Sequence, residues 1–359
     1  MSEEIPKTHK ALIYDEPGKI SLKVVDLPTP EPGPGEVLVK VLHSGVCHSD
    51  LGVMTNRWAG LPFPTQAGQV GGHEGSCKVV KLGPGTEASG IKIGDRVGIK
   101  WIAGTCDTCP ACLVGEDGVC FKQRVSGFYT PGTFQQYLVS DARYVTPIPE
   151  SLPSDMAAPL LCGGITALSA IKKSGAQAGD WVALLGAGGG VGHLAVQLAS
   201  KAYGLRVIGV DAGSKKNLVM ESGAEVFLDH TQCKAEEEVL KATGGLGAKA
   251  VIVLTGANAA YASAMGMLSF GGTLVVVGVP EGELKPIATA FPGIIVAKAQ
   301  KIVGVAVGNR KDAIETLQFA ERGLVKTHFE TCKMEEMTSV FERMEKGELQ
   351  GRVVLDMSA

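Results

Sequence analysis

This sequence has no dense run of lysine or arginine, few aromatic side chains and no long apolar stretch, and each shortage removes a class of function. Of its 359 residues 20% are charged and 5% aromatic, with a formal net charge of −3. The basic stripe with interleaved rings that a nucleic-acid binder presents is therefore missing. No segment is apolar for long enough to span a bilayer, and the opening MSEEIPKTHK lacks the apolar heart of a secretory signal. A soluble, cytoplasmic protein with neither nucleic-acid nor membrane partners is expected. Internal repeats and low-complexity tracts are also absent. A hydrophobic share of 45% fits a globular fold, and the length exceeds what one core comfortably serves, so two domains are expected.

Cysteine is not scarce. Nine cysteines in a chain of this kind point to metal ligation or reactive thiols rather than a disulfide framework. Cys106, Cys109, Cys112 and Cys120 crowd into one loop rich in Gly, Asp and Pro. Four thiolates on such a loop can close a tetrahedron around Zn²⁺, which leaves no position for a substrate and makes the site structural. An iron–sulfur cluster shares the spacing of the first three. The long gap to Cys120 and the Phe121 that follows, where such clusters have Pro, count against it. A zinc ribbon on nucleic acid would need the basic and aromatic surface that is lacking.

The first 155 or so residues read as short strands, among them Lys10–Tyr14, Glu36–Val41 and Lys78–Lys81, separated by Pro/Gly punctuation such as PTPEPGPGE. KIGDRVGIK resembles the strand–turn–strand of a small barrel. From about residue 156 the pattern alternates: DWVALLG, RVIGVD, EVFLD, AVIVLTG and TLVVVGV are apolar strands, with helical spacing between them. That alternation implies βαβ units and a doubly wound parallel sheet, so the fold class is α/β. The last sixty residues mix a strand (KIVGVAVG), helices near 312–322 and 334–345, and a final strand, GRVVLDM.

DWVALLG runs into Gly186, Ala187, Gly188, Gly189, Gly190, Val191 and Gly192, and a helix follows. The G-x-x-G-x-x-G frame at 186, 189 and 192 lets backbone N–H groups approach a pyrophosphate at the positive end of that helix. Asp211 ends the next strand, where an acid accepts hydrogen bonds from both ribose hydroxyls and repels a 2′-phosphate, favouring NAD over NADP. Lys216, five residues further on, is a candidate for the adenosine ribose or simply a solvated helix lysine.

Cys47 lies in GVCHSD, His73 in GGHEG and Cys162 in LCGGIT. Together they would supply a Cys₂His set that keeps the fourth tetrahedral position open for substrate. Singly, Cys162 reads as a small core hydrophobe and His73 as a satisfied core histidine. These motifs, with the four-cysteine lobe, GAGGGVG, KIGDRVGIKW, VGNR and MEKGELQGRVV, closely resemble the fungal and bacterial zinc alcohol dehydrogenases of the medium-chain dehydrogenase/reductase superfamily, from about residue 10 to the C-terminus.

The resemblance implies a GroES-like β-barrel catalytic domain from residues 1–155 and 297–359, a structural-zinc lobe at about 101–122, and a Rossmann cofactor domain at 156–296. It makes Cys47, His73 and Cys162 ligands of a catalytic zinc that Glu74 can also approach, and the four lobe cysteines ligands of a second zinc. Asp50 becomes the acid that orients His73, Ser49 the group that takes the alcohol proton, and His48 and Arg352 contacts to the cofactor pyrophosphate. Trp58 and Trp101 match channel-lining positions. The activity implied is reversible oxidation of primary, and secondarily of secondary, alcohols by hydride transfer from a zinc-bound alkoxide to NAD. A homo-oligomer, a tetramer in most microbial members, is implied too. A polyol dehydrogenase or a non-catalytic member of the fold is the alternative, although the latter characteristically lacks zinc ligands. One position departs from the pattern: where many relatives have a histidine at the outer end of a proton relay, this chain has Gly52.

Overall fold

The computed structural model describes residues 4–58 and 61–357, and the chain divides into two compact units. The first comprises residues 4–162, 308–321 and 329–357 of the described chain; the second comprises 163–307 and 322–328.

The first unit is built on the strand Glu36–Val46, long enough to serve three neighbours. Gly75–Leu82 pairs along one side of it. The other side is shared, with Tyr137–Asp141 beside its first half and Arg352–Asp356 beside its last. Arg96–Ile99, Thr146–Pro147 and Phe329–Cys332 extend the sheet to seven strands. Val37, Val39 and Val41 alternate into a core that also takes Tyr14, Phe134 and Phe341, all at most 1% exposed, the period-2 burial of a curved antiparallel sheet. Ile102–Gly104 pairs with Arg124–Val125 as the stem of the four-cysteine lobe.

The second unit is a six-stranded parallel sheet in the order Val226–Asp229, Arg206–Asp211, Trp181–Leu185, Ala248–Val253, Leu268–Val276, Lys301–Gly304. Numbered along the chain this is 3-2-1-4-5-6, the order of a doubly wound nucleotide-binding sheet. Val182, Ala183 and Leu184 are wholly buried because helices cover both faces, so these strands read as continuous apolar runs. Lys301–Gly304, expected with the barrel, instead hydrogen-bonds in parallel to Leu268–Val276. The division consequently falls after residue 307, and residues 322–328 also pack in this unit.

Candidate metal and cofactor sites

Within the first unit the strand ending at Val46 delivers Cys47 to the start of the helix His48–Met54. His73 and Glu74 immediately precede the neighbouring strand. Cys162 closes the 3₁₀ turn Ala158–Leu161. One ligand atom from each of Cys47, His73, Glu74 and Cys162 lies within 4.8 Å of all the others, and all four residues are buried.

Asp50 organises the set. One carboxylate oxygen accepts the Cys47 backbone N–H at 2.9 Å and the other meets His73 Nδ1 at 2.8 Å. An ionised carboxylate only accepts, so His73 carries its proton on Nδ1 and turns the Nε2 lone pair toward the sulfurs. That Nε2 is buried with no nitrogen or oxygen partner and with the Cys47 thiol beside it, a costly state unless something else satisfies it. Hydrogen bonding from Cys162 holds the Cys47 thiol well below its ordinary range, and the same sharing pushes Cys162 well above. Two buried sulfurs and an imidazole nitrogen converging to within 4.8 Å fit a soft divalent cation.

Arg352, for which the resemblance implies a phosphate contact, donates through its guanidinium to the Glu74 carboxylate and, at 3.1 Å, to the Val46 carbonyl. The reason is burial. Glu74 is 0% exposed and a carboxylate there needs a positive partner. Burial pushes the Glu74 carboxyl up while the Arg352 charge pulls it down.

Ser49 Oγ stands 3.6 Å from Cys47 Sγ, beside the ligand set, whereas His48 is exposed. Trp101 packs edge-on to the His73 ring at 4.9 Å and Trp58 edge-on to Trp101 at 6.0 Å. Gly52 has a physical cause: a Cβ there would meet Trp58 Nε1 at 2.7 Å and Cε2 at 2.9 Å. The indole occupies the room a relay histidine would need, so Gly52→His, a plausible repair from sequence alone, collides with Trp58.

The four lobe cysteines also converge. Their sulfurs lie 3.5 Å (Cys109–Cys112), 3.6 Å (Cys106–Cys120) and 4.0 Å (Cys106–Cys112) apart. A tetrahedron with ~2.3 Å metal–sulfur bonds has edges of about 3.8 Å, so the spacing fits Cys₄ zinc. Backbone N–H groups aimed at Cys106, chiefly that of Thr108, bring its thiol down to about 6. The lobe is tied to its unit by residues whose role the sequence did not disclose. Asn309 donates to the Gly115 carbonyl at 2.9 Å, the Tyr144 hydroxyl to Asp117 at 2.8 Å, and Arg310 and Arg143 pair with Asp107. Asn309 and Arg310 lie within the VGNR motif, the only signal available. Among the described residues, these two clusters are the ones able to hold a metal ion.

In the second unit, Gly186 turns the chain at φ +85° after Trp181–Leu185. Gly192 opens the helix so close that a Cβ would sit 2.0 Å from the Gly186 carbonyl oxygen, the approach only glycine permits. Asp211 is nearly buried and accepts the Gly188 N–H and the Ala212 N–H, each at 2.8 Å. Lys215 rather than Lys216 stands beside it, with Nζ at 4.0 Å and its stem over Gly188, while Lys216 is exposed.

A nucleotide-binding sheet with a glycine loop, and two thiolate-rich sites each fitting zinc, define a zinc-dependent, dinucleotide-linked oxidoreductase. Comparison with known proteins narrows the class. Residues 33–150 match the alcohol dehydrogenase GroES-like domain and residues 190–322 the zinc-binding dehydrogenase family. Alcohol dehydrogenase 2 of Emericella nidulans is 59% identical over 99% of each chain, and the alcohol dehydrogenase of Schizosaccharomyces pombe 41% over 97% of each. Among solved structures, the alcohol dehydrogenase from Aeropyrum pernix (32% identity, 97% and 99% of the two chains covered) superposes with a TM-score of 0.86. The acetophenone reductase from Geotrichum candidum in complex with NAD (27%, 99% and 98% covered) gives 0.83. The chain belongs to the zinc-dependent alcohol dehydrogenases of the medium-chain dehydrogenase/reductase superfamily, with a GroES-like and a Rossmann domain. Its activity is zinc-dependent oxidation of alcohols with NAD.

Proposed function

We propose that Cys47, His73 and Cys162 hold the catalytic zinc, with Glu74 as an alternative ligand, and that Cys106, Cys109, Cys112 and Cys120 hold a structural one. The observation that carries this reading is the convergence of one ligand atom from each of the buried Cys47, His73, Glu74 and Cys162 to within 4.8 Å, with no nitrogen or oxygen partner on His73 Nε2. Bound there, zinc supplies Lewis acidity toward the alcohol oxygen, and NAD supplies the hydride acceptor. Asp50 keeps His73 in the tautomer that faces the metal. Ser49 Oγ takes the alcohol proton, and with Gly52 in place of a histidine the onward acceptor is water or buffer. Trp58 and Trp101 form an apolar wall that favours small primary alcohols and keeps water from the reacting carbon. The loop Gly186–Gly192 holds the pyrophosphate. Asp211, with Lys215 or Lys216, faces the adenosine ribose. His48 is assigned to the pyrophosphate. Arg352 serves chiefly as the counter-ion of Glu74 and reaches a phosphate only by exchanging that partner.

A cytoplasmic homo-oligomer completes the proposal. Among the described residues no single helix is long and apolar enough to cross a membrane. Lys301–Gly304 is an edge strand, and Ile302 on it and Val296, Ile294 and Leu284 nearby are exposed. An unpaired edge with an apolar surround suits pairing with a second copy. The test is NAD reduction across short and branched primary alcohols, secondary alcohols and polyols, run on protein of measured zinc content and mass in solution. Turnover confined to polyols, or turnover by the Cys47→Ser variant, would overturn the assignment.

A further inference from the structure

The first turn of the helix Gly192–Gln197 carries a fully buried imidazole that none of the roles above uses. His193 Nδ1 lies 2.9 Å from the Gly189 carbonyl oxygen and Nε2 lies 3.1 Å from the backbone nitrogen of His328. A peptide N–H only donates and a carbonyl only accepts. The ring is therefore neutral, with its proton on Nδ1. The Gly189 oxygen also accepts the His193 backbone N–H at 3.2 Å, so the imidazole is a second hold on the same atom. Residues 188–190 are three consecutive glycines. They have no side chains to limit their rotation, and the loop's order must come from what grips its backbone. In a planar trans peptide the carbonyl and the next N–H point in opposite directions. Holding the Gly189 carbonyl back into the helix therefore aims the Gly190 N–H outward, to the side where a phosphate meets a helix start.

We propose that His193 is a positioning residue for the cofactor: its Nδ1–H fixes the Gly189–Gly190 peptide so that Gly190 presents its N–H to the dinucleotide pyrophosphate, while the His328 N–H fixes the tautomer that makes this possible. The proposal rests on the reading of residues 186–192 as the dinucleotide loop. One turn further along, Gln197 supplies a natural control. Its side chain donates to the Lys326 carbonyl at 2.8 Å and accepts the Lys326 N–H at 3.0 Å, and its contact with His193 is the backbone carbonyl, 3.1 Å away and on the side of the residue remote from the loop. It thus grips the same returning segment.

The experiment measures NADH dissociation constants by fluorescence on the zinc-loaded enzyme, together with melting temperatures. His193→Leu removes both ring contacts. His193→Gln keeps only an acceptor at the Nε2 position, and His193→Asn keeps only a donor at the Nδ1 position. Leu and Gln are expected to weaken NADH binding about tenfold, the usual consequence of losing one buried positioning hydrogen bond. Asn should restore binding to within about threefold of the parent. The KM for NAD should rise with kcat little changed. Gln197→Leu should lower the melting temperature and leave NADH binding alone. Asn binding as weakly as Leu, or Gln197→Leu weakening NADH as much as His193→Leu, overturns the proposal, as do variants that all bind like the parent. A parent that binds no NADH overturns the loop reading itself, and the proposal with it.

Discussion

Lys100 offers a test of burial energetics that does not depend on the catalytic site. Its amine is 4% exposed and donates to the Tyr144 carbonyl and, at 2.9 Å, to Thr146 Oγ1. It also lies 4.4 Å from the centre of the Tyr144 ring. No carboxylate is among these hydrogen-bond partners. Burial, reinforced by the Arg310 charge and opposed by Asp117, brings the amine down from its ordinary 10.5 to about 7. The unfolded chain therefore binds a proton that the folded chain does not between roughly pH 7 and 10.5, and folding gains stability as pH rises through that window. Below it the cost of burying the charge is fully present. Allowing for the titration midpoint near pH 7, the parent should gain about 2 kcal/mol from pH 7 to pH 9. Lys100→Met removes this gain. It also leaves two acceptors without their donor, at about 1–3 kcal/mol each, but that loss does not change with pH. The melting temperature of the parent relative to Lys100→Met, followed on zinc-loaded protein at matched scan rate and ionic strength, should rise by roughly 5 °C between pH 7 and 9. Parallel pH profiles for the two proteins would refute the reasoning, since all other titrating groups cancel in the comparison.

Three further outcomes are expected. Gly52→His should lower both melting temperature and kcat/KM by displacing Trp58, and only the double variant with Trp58→Ala should raise alcohol oxidation near neutral pH more than at alkaline pH. A stable, faster single variant in the pH–rate profile at saturating NAD would count against the packing argument. Elemental analysis should find two zinc ions per chain, by the coordination of Cys₂His and Cys₄ sets. Cys47→Ser should abolish turnover with the fold intact, while Cys109→Ser should lose the other zinc and unfold at lower temperature. Asp211→Gly with Ala212→Arg should raise the kcat/KM ratio of NADP to NAD at least about tenfold, as charge complementarity at the 2′-position reverses. Because Asp211 also accepts the Gly188 N–H, affinity for both cofactors should fall; a parent already preferring NADP would overturn the reading.

The sequence disclosed what depends on residue type and spacing. Thiols at fixed intervals, a glycine loop between a buried strand and a helix, and an acid at the next strand's end all have chemistry that spacing alone constrains. Asp50 lies two residues beyond the exposed His48, and its reach to both Cys47 and His73 follows from the first turn of a helix. What spacing could not supply was rivalry for space and partners. Gly52 reads as a missing histidine until the Trp58 indole is seen against it. Arg352 reads as a phosphate ligand, and nothing in its spacing signals that it also pairs with the buried Glu74. Lys215 and Lys216 are indistinguishable in sequence, and helix phase alone decides which one covers Gly188. Lys301–Gly304 is apolar enough for either sheet, and pairing with Leu268–Val276 decides between them.

The bond between Arg352 and Glu74 joins residues 278 positions apart, which gives the site a history in time. During synthesis every residue of the Cys47, His73, Glu74 and Cys162 cluster leaves the ribosome while the strand that carries Arg352 has yet to be made. Glu74 is a carboxylate destined for complete burial, and until Arg352 is made it lacks the guanidinium it buries with. The edge of Glu36–Val46 from His43 to Val46 likewise waits for Arg352–Asp356. The nascent first unit should therefore stay open around its metal ligands, accessible to zinc and to chaperones. It should close only when the second unit, made in between, is already complete. Loss of the final strand would strand a buried charge in the centre of the site, so a chain cut before Arg352 should keep a folded cofactor unit but fail to form the metal centre.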